Sequence, residues 1–137
     1  MADLIKTLLT AAETENDPES QYSLGITYDK GVLVTQNWKL ASEWYRKAAS
    51  QGHAAAQYSL ALMYFSGQGV VQDFCEAAKW YCKAADHGHA NAQYNLSLMY
   101  AEGQGVERNL SLALYWRKLA TEQGLLGRAE WDDLDGY

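Results

Sequence analysis

The sequence repeats itself with a period of 36 residues, and no gap is needed to align the copies. A Gln-Tyr pair recurs at 21–22, 57–58 and 93–94, and Trp44, Trp80 and Trp116 follow at the same spacing. The first and second copies are identical at 18 of 36 positions. A repeat of this length predicts a stack of supersecondary units, each burying its apolar face against its neighbours.

Each unit carries the signals of two helices joined by a short loop. In the second unit we predict helix A over about 54–66, ended by Gly67, and helix B after Asp73, ended by Gly88. Asp73 is the predicted N-cap of helix B, and Glu76 completes a capping-box pattern. Asn37 and Asn109 take the same cap position in the other units. The sequence therefore predicts an all-α fold, a right-handed α–α superhelix of helical hairpins.

The repeat also divides the chain, which we predict to be a single solenoid domain over 1–137. Residues 4–15 resemble the second half of a unit, and we expect them to form a helix that covers the first hairpin. The predicted segments are an N-terminal capping helix over 1–20, repeats over 21–56, 57–92 and 93–128, and an acidic C-terminal cap or tail over 129–137.

The pattern resembles that of the Sel-1-like repeat family, which is related to the tetratricopeptide repeats. The second unit carries the whole motif from Gln57 to Gly88: Gln-Tyr-x-Leu-x-x-x-Tyr-x-x-Gly-x-Gly-Val, then Asp-x-x-x-Ala-x-x-Trp-Tyr-x-x-Ala-Ala-x-x-Gly. The resemblance covers about four-fifths of the chain. It implies a non-catalytic platform that holds other proteins.

The first unit departs from the motif at Leu33, where the later units have glycine. We expect its loop, residues 31–34, to take another path and to expose apolar side chains. A secreted branch of the family has a cysteine pair in each repeat, and this chain does not. Cys75 and Cys82 lie seven residues apart on one predicted helix, about 10 Å by helical rise, which is too far for a disulfide. Reduced thiols indicate a cytoplasmic protein.

Charge and hydropathy exclude several classes of partner. The net charge is −6 and no basic patch emerges, so we expect no nucleic acid partner. No run approaches about 18 apolar residues, so we expect no membrane insertion. The N-terminal residues lack the form of a secretory signal, which again favours the cytoplasm.

Helix A has more apolar positions than one buried stripe requires. At 100° per residue, Leu60 and Ala61 share a side that must pack on helix B, whereas Tyr58, Leu62 and Phe65 point elsewhere. We expect this second face to line the concave surface and to bind a peptide or protein. Burial of the same face between adjacent A helices is an equally open alternative. The predicted binding residues are Tyr22, Ile26, Asp29, Tyr58, Leu62, Phe65, Tyr94, Leu98 and Glu102, and we call this set the A-helix ladder.

Other residues are better explained by structure than by chemistry. The three repeated tryptophans are predicted core residues, and His53 and His89, at the start of a helix A, are predicted caps. Cys82, His87 and His89 fall short of the four ligands of a zinc site. No nucleophile motif, phosphate loop or carboxylate pair is found. We therefore expect no enzyme activity, no cofactor and no metal.

The tail over 129–137 contains four acidic residues, and Trp131, Leu134 and Tyr137 make it a candidate docking peptide. The other interpretation, which the tail's position at the end of the repeats favours, is an ordinary helix cap with a frayed end. If the tail binds a second copy, weak self-association follows. The sequence thus predicts an adaptor that binds a protein or peptide. A dedicated inhibitor of a basic enzyme, such as an immunity or antitoxin protein, is one alternative, and a hydrolase or metal enzyme is a second.

Overall fold

A computed structural model describes residues 2–124. Those residues form seven α-helices without a strand, and the predicted all-α solenoid of hairpins is confirmed. After α1, the helices pair as α2–α3, α4–α5 and α6–α7, each pair being one hairpin. The helices are α1 (Ala2–Glu13), α2 (Pro18–Lys30), α3 (Trp38–Ser50), α4 (Ala54–Ser66), α5 (Phe74–Asp86), α6 (Ala90–Glu102) and α7 (Leu110–Glu122).

The B helices α3, α5 and α7 begin at the predicted caps. Asn37, Asp73 and Asn109 have extended backbones, and each side chain accepts a hydrogen bond from the backbone N–H three residues on. These bonds satisfy amides that a helix start otherwise leaves unpaired. Asp17 caps α2 in the same way, and Pro18 opens that helix. Local sequence therefore fixes where each helix starts.

The capping box predicted at Asp73 and Glu76 forms only in part. The Asp73 carboxylate accepts from the Glu76 N–H at 3.1 Å, but the Glu76 carboxylate pairs with Lys79 at 3.1 Å. The N–H of Asp73 is already taken, because it donates to the carbonyl of Tyr64 at 2.9 Å. The hydrogen bond from the Asp73 N–H to helix A thus takes the place of the second hydrogen bond of the capping box.

The first loop follows the same path as the other two, so the prediction of a different path is wrong. Leu33 adopts a φ of +69°, close to the +75° of Gly69 and the +68° of Gly105. The Asn37 N–H donates to the Tyr28 carbonyl just as the Asp73 N–H donates to that of Tyr64. These backbone bonds set the path, and Leu33 accepts a left-handed conformation that costs roughly 1–2 kcal/mol.

Leucine is tolerated at position 33 because its side chain has room. A Cβ placed on Gly69 would lie 2.3 Å from the carbonyl oxygen of Trp38, a backbone atom of the preceding hairpin. Leu33 is instead 40 % exposed, and its neighbour Val32 is 54 % exposed. The predicted exposure of apolar side chains in this loop is confirmed.

Small residues at the helix crossings let the hairpins stack closely. Alanines at the repeated B-helix positions are almost fully buried, and Leu24, Leu60 and Leu96 contribute one buried leucine per hairpin. The predicted burial of Trp44 and Trp116 is confirmed, while Trp80 is half-buried and packs against the clusters on both sides of it. The core is a continuous stack without a centre. The buried alanines are Ala41, Ala48, Ala77, Ala84, Ala113 and Ala120.

Helix α1 covers the first hairpin. Leu8, Leu9 and the buried Ala12 pack with Leu24 and Trp44, while Leu4 stays 54 % exposed. The linker to α2 turns at Asn16, whose φ is +54°. The first A helix thus has a helix on both sides. None of the described helices has the length and apolar character needed to cross a membrane.

Candidate functional site

The A-helix ladder lies on α2, α4 and α6 and is neither sealed nor fully exposed. Leu62 and Leu98 are 38 % and 39 % exposed. The other apolar members are half-buried: Tyr22, Ile26, Tyr58, Phe65 and Tyr94. Neighbouring A helices therefore cover the ladder only in part. Asp29 is half-buried as well, and Glu102 is exposed.

Aromatic contacts across the hairpins hold the ladder tyrosines in place. The ring of Tyr22 lies 5.8 Å from that of Tyr45 on α3 and 4.7 Å from that of His53. Tyr58 repeats the arrangement one hairpin later with Tyr81 on α5 at 5.9 Å and His89 at 4.6 Å. Each tyrosine is thus fixed by its own B helix and by the cap of the next A helix.

His53 and His89 have the predicted capping role. Their Nδ1 atoms accept hydrogen bonds from the backbone N–H groups of Ala56 and Ala92 at 3.1 and 3.2 Å. Burial lowers the pKa of His89 below its usual value of 6.5, which favours the neutral ring that can accept this bond. His53 also pairs through Nε2 with Glu19 at 2.8 Å.

Sequence reasoning missed Tyr45 and Tyr81 as parts of this site. Both are buried, and the 36-residue spacing of Trp-Tyr pairs was the signal that could have found them. The Tyr45 hydroxyl donates to the Asp29 carboxylate at 3.0 Å. Burial raises the pKa of Tyr45 well above 10, and the nearby Asp29 charge raises it further. Tyr45 therefore stays a protonated donor, and Asp29 is its acceptor.

An apolar pocket of about 260 Å³ lies between α4 and α6. Four ladder residues line it, and Tyr81 and Met99 are its buried members. The Asn95 amide donates to the Tyr81 hydroxyl at 3.4 Å. The described residues that line it are Leu62, Phe65, Tyr81, Asn95, Leu98, Met99, Glu102 and Gln104. The ladder residues on α2, together with Tyr58 and Tyr94, lie outside this pocket.

The described residues contain no cluster of three His, Cys, Asp or Glu side chains that could hold a metal ion. Both cysteines are free thiols. The Cys82 sulfur lies 4.0 Å from the Asp86 carboxylate, and burial, together with that charge, raises its pKa. A raised pKa disfavours the reactive thiolate.

The C-terminal end of the stack presents an apolar surface on α7. Leu110, Leu114 and Tyr115 are 54 %, 64 % and 54 % exposed, and Leu112 is 37 % exposed. The candidate docking residues of the tail, Trp131, Leu134 and Tyr137, lie outside the described residues.

Comparison with known proteins identifies the repeat. The family model described as Sel1 repeat matches residues 18–53, 54–89 and 90–125, so each matched unit begins three residues before the repeats counted from Gln21. A comparison with curated proteins gave no match.

Two solved structures resemble the chain along most of its length. One is c5321, a protective antigen present in uropathogenic Escherichia coli strains that displays an SLR fold. It shares 41 % identity with a TM-score of 0.82, over 87 % of this chain and 25 % of that one. The other is a Sel1 repeat protein from Oxalobacter formigenes, with 38 % identity and a TM-score of 0.79, over 88 % of this chain and 53 % of that one. This chain thus spans about a quarter and a half of their lengths.

Proposed function

The chain belongs to the Sel1 repeat family, and from this premise we propose that it is a non-catalytic adaptor that binds a protein or peptide on the A-helix ladder. Proteins of the family are generally protein–protein interaction modules. Their fold is generally a scaffold without catalysis. Membership in the family does not name the partner of this chain, so we describe the partner by the chemistry of the surface that would bind it.

Partial exposure of the ladder is the observation that carries the proposal. Leu62 and Leu98 keep more than a third of their surface open, one helix apart, beside an apolar pocket. The tyrosines around them are held by ring contacts, so little conformational entropy is lost when a partner orders them further. A preorganised surface with apolar anchors and a hydroxyl-bearing rim is typical of a protein interface.

A location in the cytoplasm is part of the same proposal. Cys75 and Cys82 are free thiols on α5, which fits a reducing compartment. The net charge of −6 supports a protein partner over a nucleic acid.

We propose in addition that the tail supports weak self-association, with Trp131, Leu134 and Tyr137 as docking residues. Two features support this. The tail combines three large apolar side chains with four acids, and α7 ends the described stack with exposed leucines. Contacts of such limited size give weak complexes.

The ladder is tested with the double variant Leu62→Ser and Leu98→Ser. Both residues are more than a third exposed, so we expect the fold to survive. Partner binding should fall by about tenfold or more, since each leucine buried by a partner contributes on the order of 1 kcal/mol or more. Tagged wild-type and variant chains are compared by quantitative pull-down against the same extract, followed by titration of the purified partner.

The matched control is Leu112→Ser on α7, a leucine of nearly the same exposure, 37 %, outside the ladder. Far-ultraviolet circular dichroism melts establish that all variants are folded. Recovery of the same partners in the same amounts by wild type and by the ladder variant would contradict binding on this face.

A further inference from the structure

The 36-residue repeat places two equivalent sets of side chains on the ladder side. We call the space between α4 and α6, which holds the apolar pocket, the second cleft, and the equivalent positions on α2 and α4 the first cleft. Each residue that lines the second cleft has a counterpart 36 positions earlier in the first. Leu62 and Leu98 of the second cleft correspond to Ile26 and Leu62 of the first. Both clefts therefore have one aliphatic side chain on each of their two A helices. The clefts differ in two decisive side chains: Phe65 replaces Asp29, and Glu102 replaces Ser66.

The difference between Asp29 and Phe65 means that the wall of the second cleft lacks the charge that the first cleft has. In the first cleft, Asp29 accepts the hydroxyl proton of Tyr45 and keeps the wall polar. In the second, the ring of Phe65 packs 5.0 Å from that of Phe74 and presents an apolar wall beside Leu62 and Leu98. The resulting pocket of about 260 Å³ exceeds the roughly 150 Å³ in which an apolar protein cavity binds benzene. It therefore has room for one large apolar side chain.

The difference between Ser66 and Glu102 places a negative charge at the mouth of the pocket. Among the residues from 2 to 124 that line this pocket, Glu102 is the only charged one. It is exposed, and no ion pair involves it within residues 2–124. It lies in the last turn of α6, and neither α4 nor α6 has a basic side chain in its last turn. The carbonyl ends of both helices add negative potential there, which favours a cation.

The cation Arg108 lies near the end of α6, but its side chain does not cover the mouth of the pocket. Arg108 donates from Nε to the carbonyl of Ala101 at 3.2 Å. Its side chain lines a different surface depression, together with Tyr100 and Leu112. Arg108 thus caps the helix end from the other side and does not pair with Glu102.

We propose that the pocket between α4 and α6 is the anchor site for a partner protein segment in which a large apolar side chain is flanked by lysine or arginine. The apolar side chain enters between Leu62, Phe65 and Leu98, and Glu102 pairs with the adjacent cation. The first cleft, with Asp29 committed to Tyr45, does not take such an anchor. This assignment rests on the proposed binding function and adds the place and the chemistry of the contact.

The methionines give each cleft its own reporter. Met99 lines the pocket, Met63 occupies the equivalent position in the first cleft, and Met1 is the only other methionine. With ¹³C-methyl-methionine labelling, the purified chain is titrated with acetyl-Gly-Lys-Phe-Lys-Gly-amide, a probe whose ring current shifts nearby methyl signals. We expect the Met99 signal to move with a Kd of about millimolar, while Met63 stays in place.

Two further probes separate the contributions of the ring and the charge. The peptide with serine in place of phenylalanine should shift neither methionine. The peptide with glutamate in place of both lysines should bind more weakly than the lysine probe, by up to about fivefold, since a solvent-exposed ion pair contributes at most about 1 kcal/mol. Glu102→Gln should remove that preference, whereas its control Glu107→Gln, an exposed acid outside this pocket, should keep it.

Equal shifts of Met63 and Met99, an unmoved Met99, or equal affinity for the lysine and glutamate probes in wild type would each overturn the assignment. Loss of partner by the Leu62→Ser and Leu98→Ser variant, together with an unresponsive Met99, would overturn the anchor site alone and leave the adaptor function standing. Retention of partner by that variant would contradict partner binding on the A-helix ladder, which is the proposed function on which the anchor site rests.

Discussion

A buried glutamine ties each hairpin to the helix before it. The side-chain amide groups of Gln21, Gln57 and Gln93 donate to the backbone carbonyls of Ala12, Ala49 and Ala85 at 3.0 to 3.2 Å. All three glutamines are at most 4 % exposed. A buried amide that loses such a partner costs about 1–3 kcal/mol, so these bonds fix the spacing between hairpins.

The second hairpin satisfies its glutamine less completely than the others. Gln51 donates to the Gln21 carbonyl oxygen and Gln123 to that of Gln93, both at 2.8 Å. Position 87 is the equivalent donor site, and it carries histidine. The Oε1 atom of Gln57 is left buried without a hydrogen-bond partner.

His87→Gln should therefore stabilise the protein. The new amide restores the bond that the other hairpins make, and we expect a gain of about 0.5–1.5 kcal/mol in the free energy of unfolding. Urea unfolding followed by circular dichroism measures it. His87→Ala, which supplies no donor, is the control and should give no gain. If His87→Gln is no more stable than His87→Ala, the unpaired Oε1 atom of Gln57 does not lower the free energy of unfolding.

The A helices α4 and α6 start at histidine caps, whereas the B helices start at asparagine or aspartate caps, and this difference makes the start of α6 sensitive to pH. Helix α6 is capped by the Nδ1 lone pair of His89, which is available only in the unprotonated ring. Burial, including the stacked ring of Tyr58 at 4.6 Å, lowers the pKa of His89 in the folded state. A depressed folded pKa means that protonation favours unfolding, so the stability from this cap is present above pH 6.5 and is lost as the pH falls through and below it.

Replacement of this cap by asparagine should reduce the pH dependence. His89→Asn retains a side-chain acceptor that does not titrate. We expect the free energy of unfolding of wild type to fall more than that of His89→Asn between about pH 8 and about pH 5, with a difference of about 0.5–2 kcal/mol for one lost cap. Parallel urea titrations at both pH values provide the measurement. Identical losses in the two proteins would place the pH dependence elsewhere.

Helix boundaries were predictable because their causes lie within a few residues. Asn37, Asp73 and Asn109 precede their helices in the sequence and accept the expected N–H bonds in the structure. The prediction failed at Leu33, because hydrogen bonds between loop and helix set the conformation of that loop against the preference of the residue.

The binding face was predictable only as a set of positions. Helical spacing places Tyr58, Leu62 and Phe65 together, but their exposure depends on how closely α4 and α6 approach. Buried alanines such as Ala56 and Ala92 pack in clusters with the preceding B helices, so the approach of the A helices follows from contacts between successive hairpins. The contact of Tyr58 with His89, the cap of α6, likewise joins one hairpin to the next. No local pattern encodes such distances.

At the scale of the whole molecule, the two ends of the described stack differ in whether a helix covers them. The first hairpin is covered by α1, whereas no described helix follows α7. Ser42 and Ala78 are 5 % and 4 % exposed on α3 and α5, and the equivalent residue on α7 is Leu114, at 64 %. A leucine fits poorly where alanine allows close packing, so this surface of α7 differs from the surfaces of α3 and α5 on which the next hairpin packs.

The tail sequence points the same way. Arg128 and Asp132 stand 36 residues after Ala92 and Leu96, both fully buried, so the tail does not continue the buried pattern of an A helix. This break in the pattern supports the proposal that the apolar residues of the tail serve in self-association. We expect the apparent mass of the full chain to rise above 15.3 kDa with concentration in analytical ultracentrifugation, and a chain that lacks residues 129–137 to stay monomeric.

Point variants distinguish which surface receives the tail. Trp131→Ala with Leu134→Ala in the full chain should lower association as the deletion does, because large apolar side chains dominate such contacts. If the tail enters the ladder of a second copy, Leu62→Ser with Leu98→Ser should lower it equally. If the tail instead contacts α7, Leu114→Ser should do so and the ladder variant should not. A full chain that remains monomeric at every concentration would end the self-association proposal, because neither surface would then be bridging two copies.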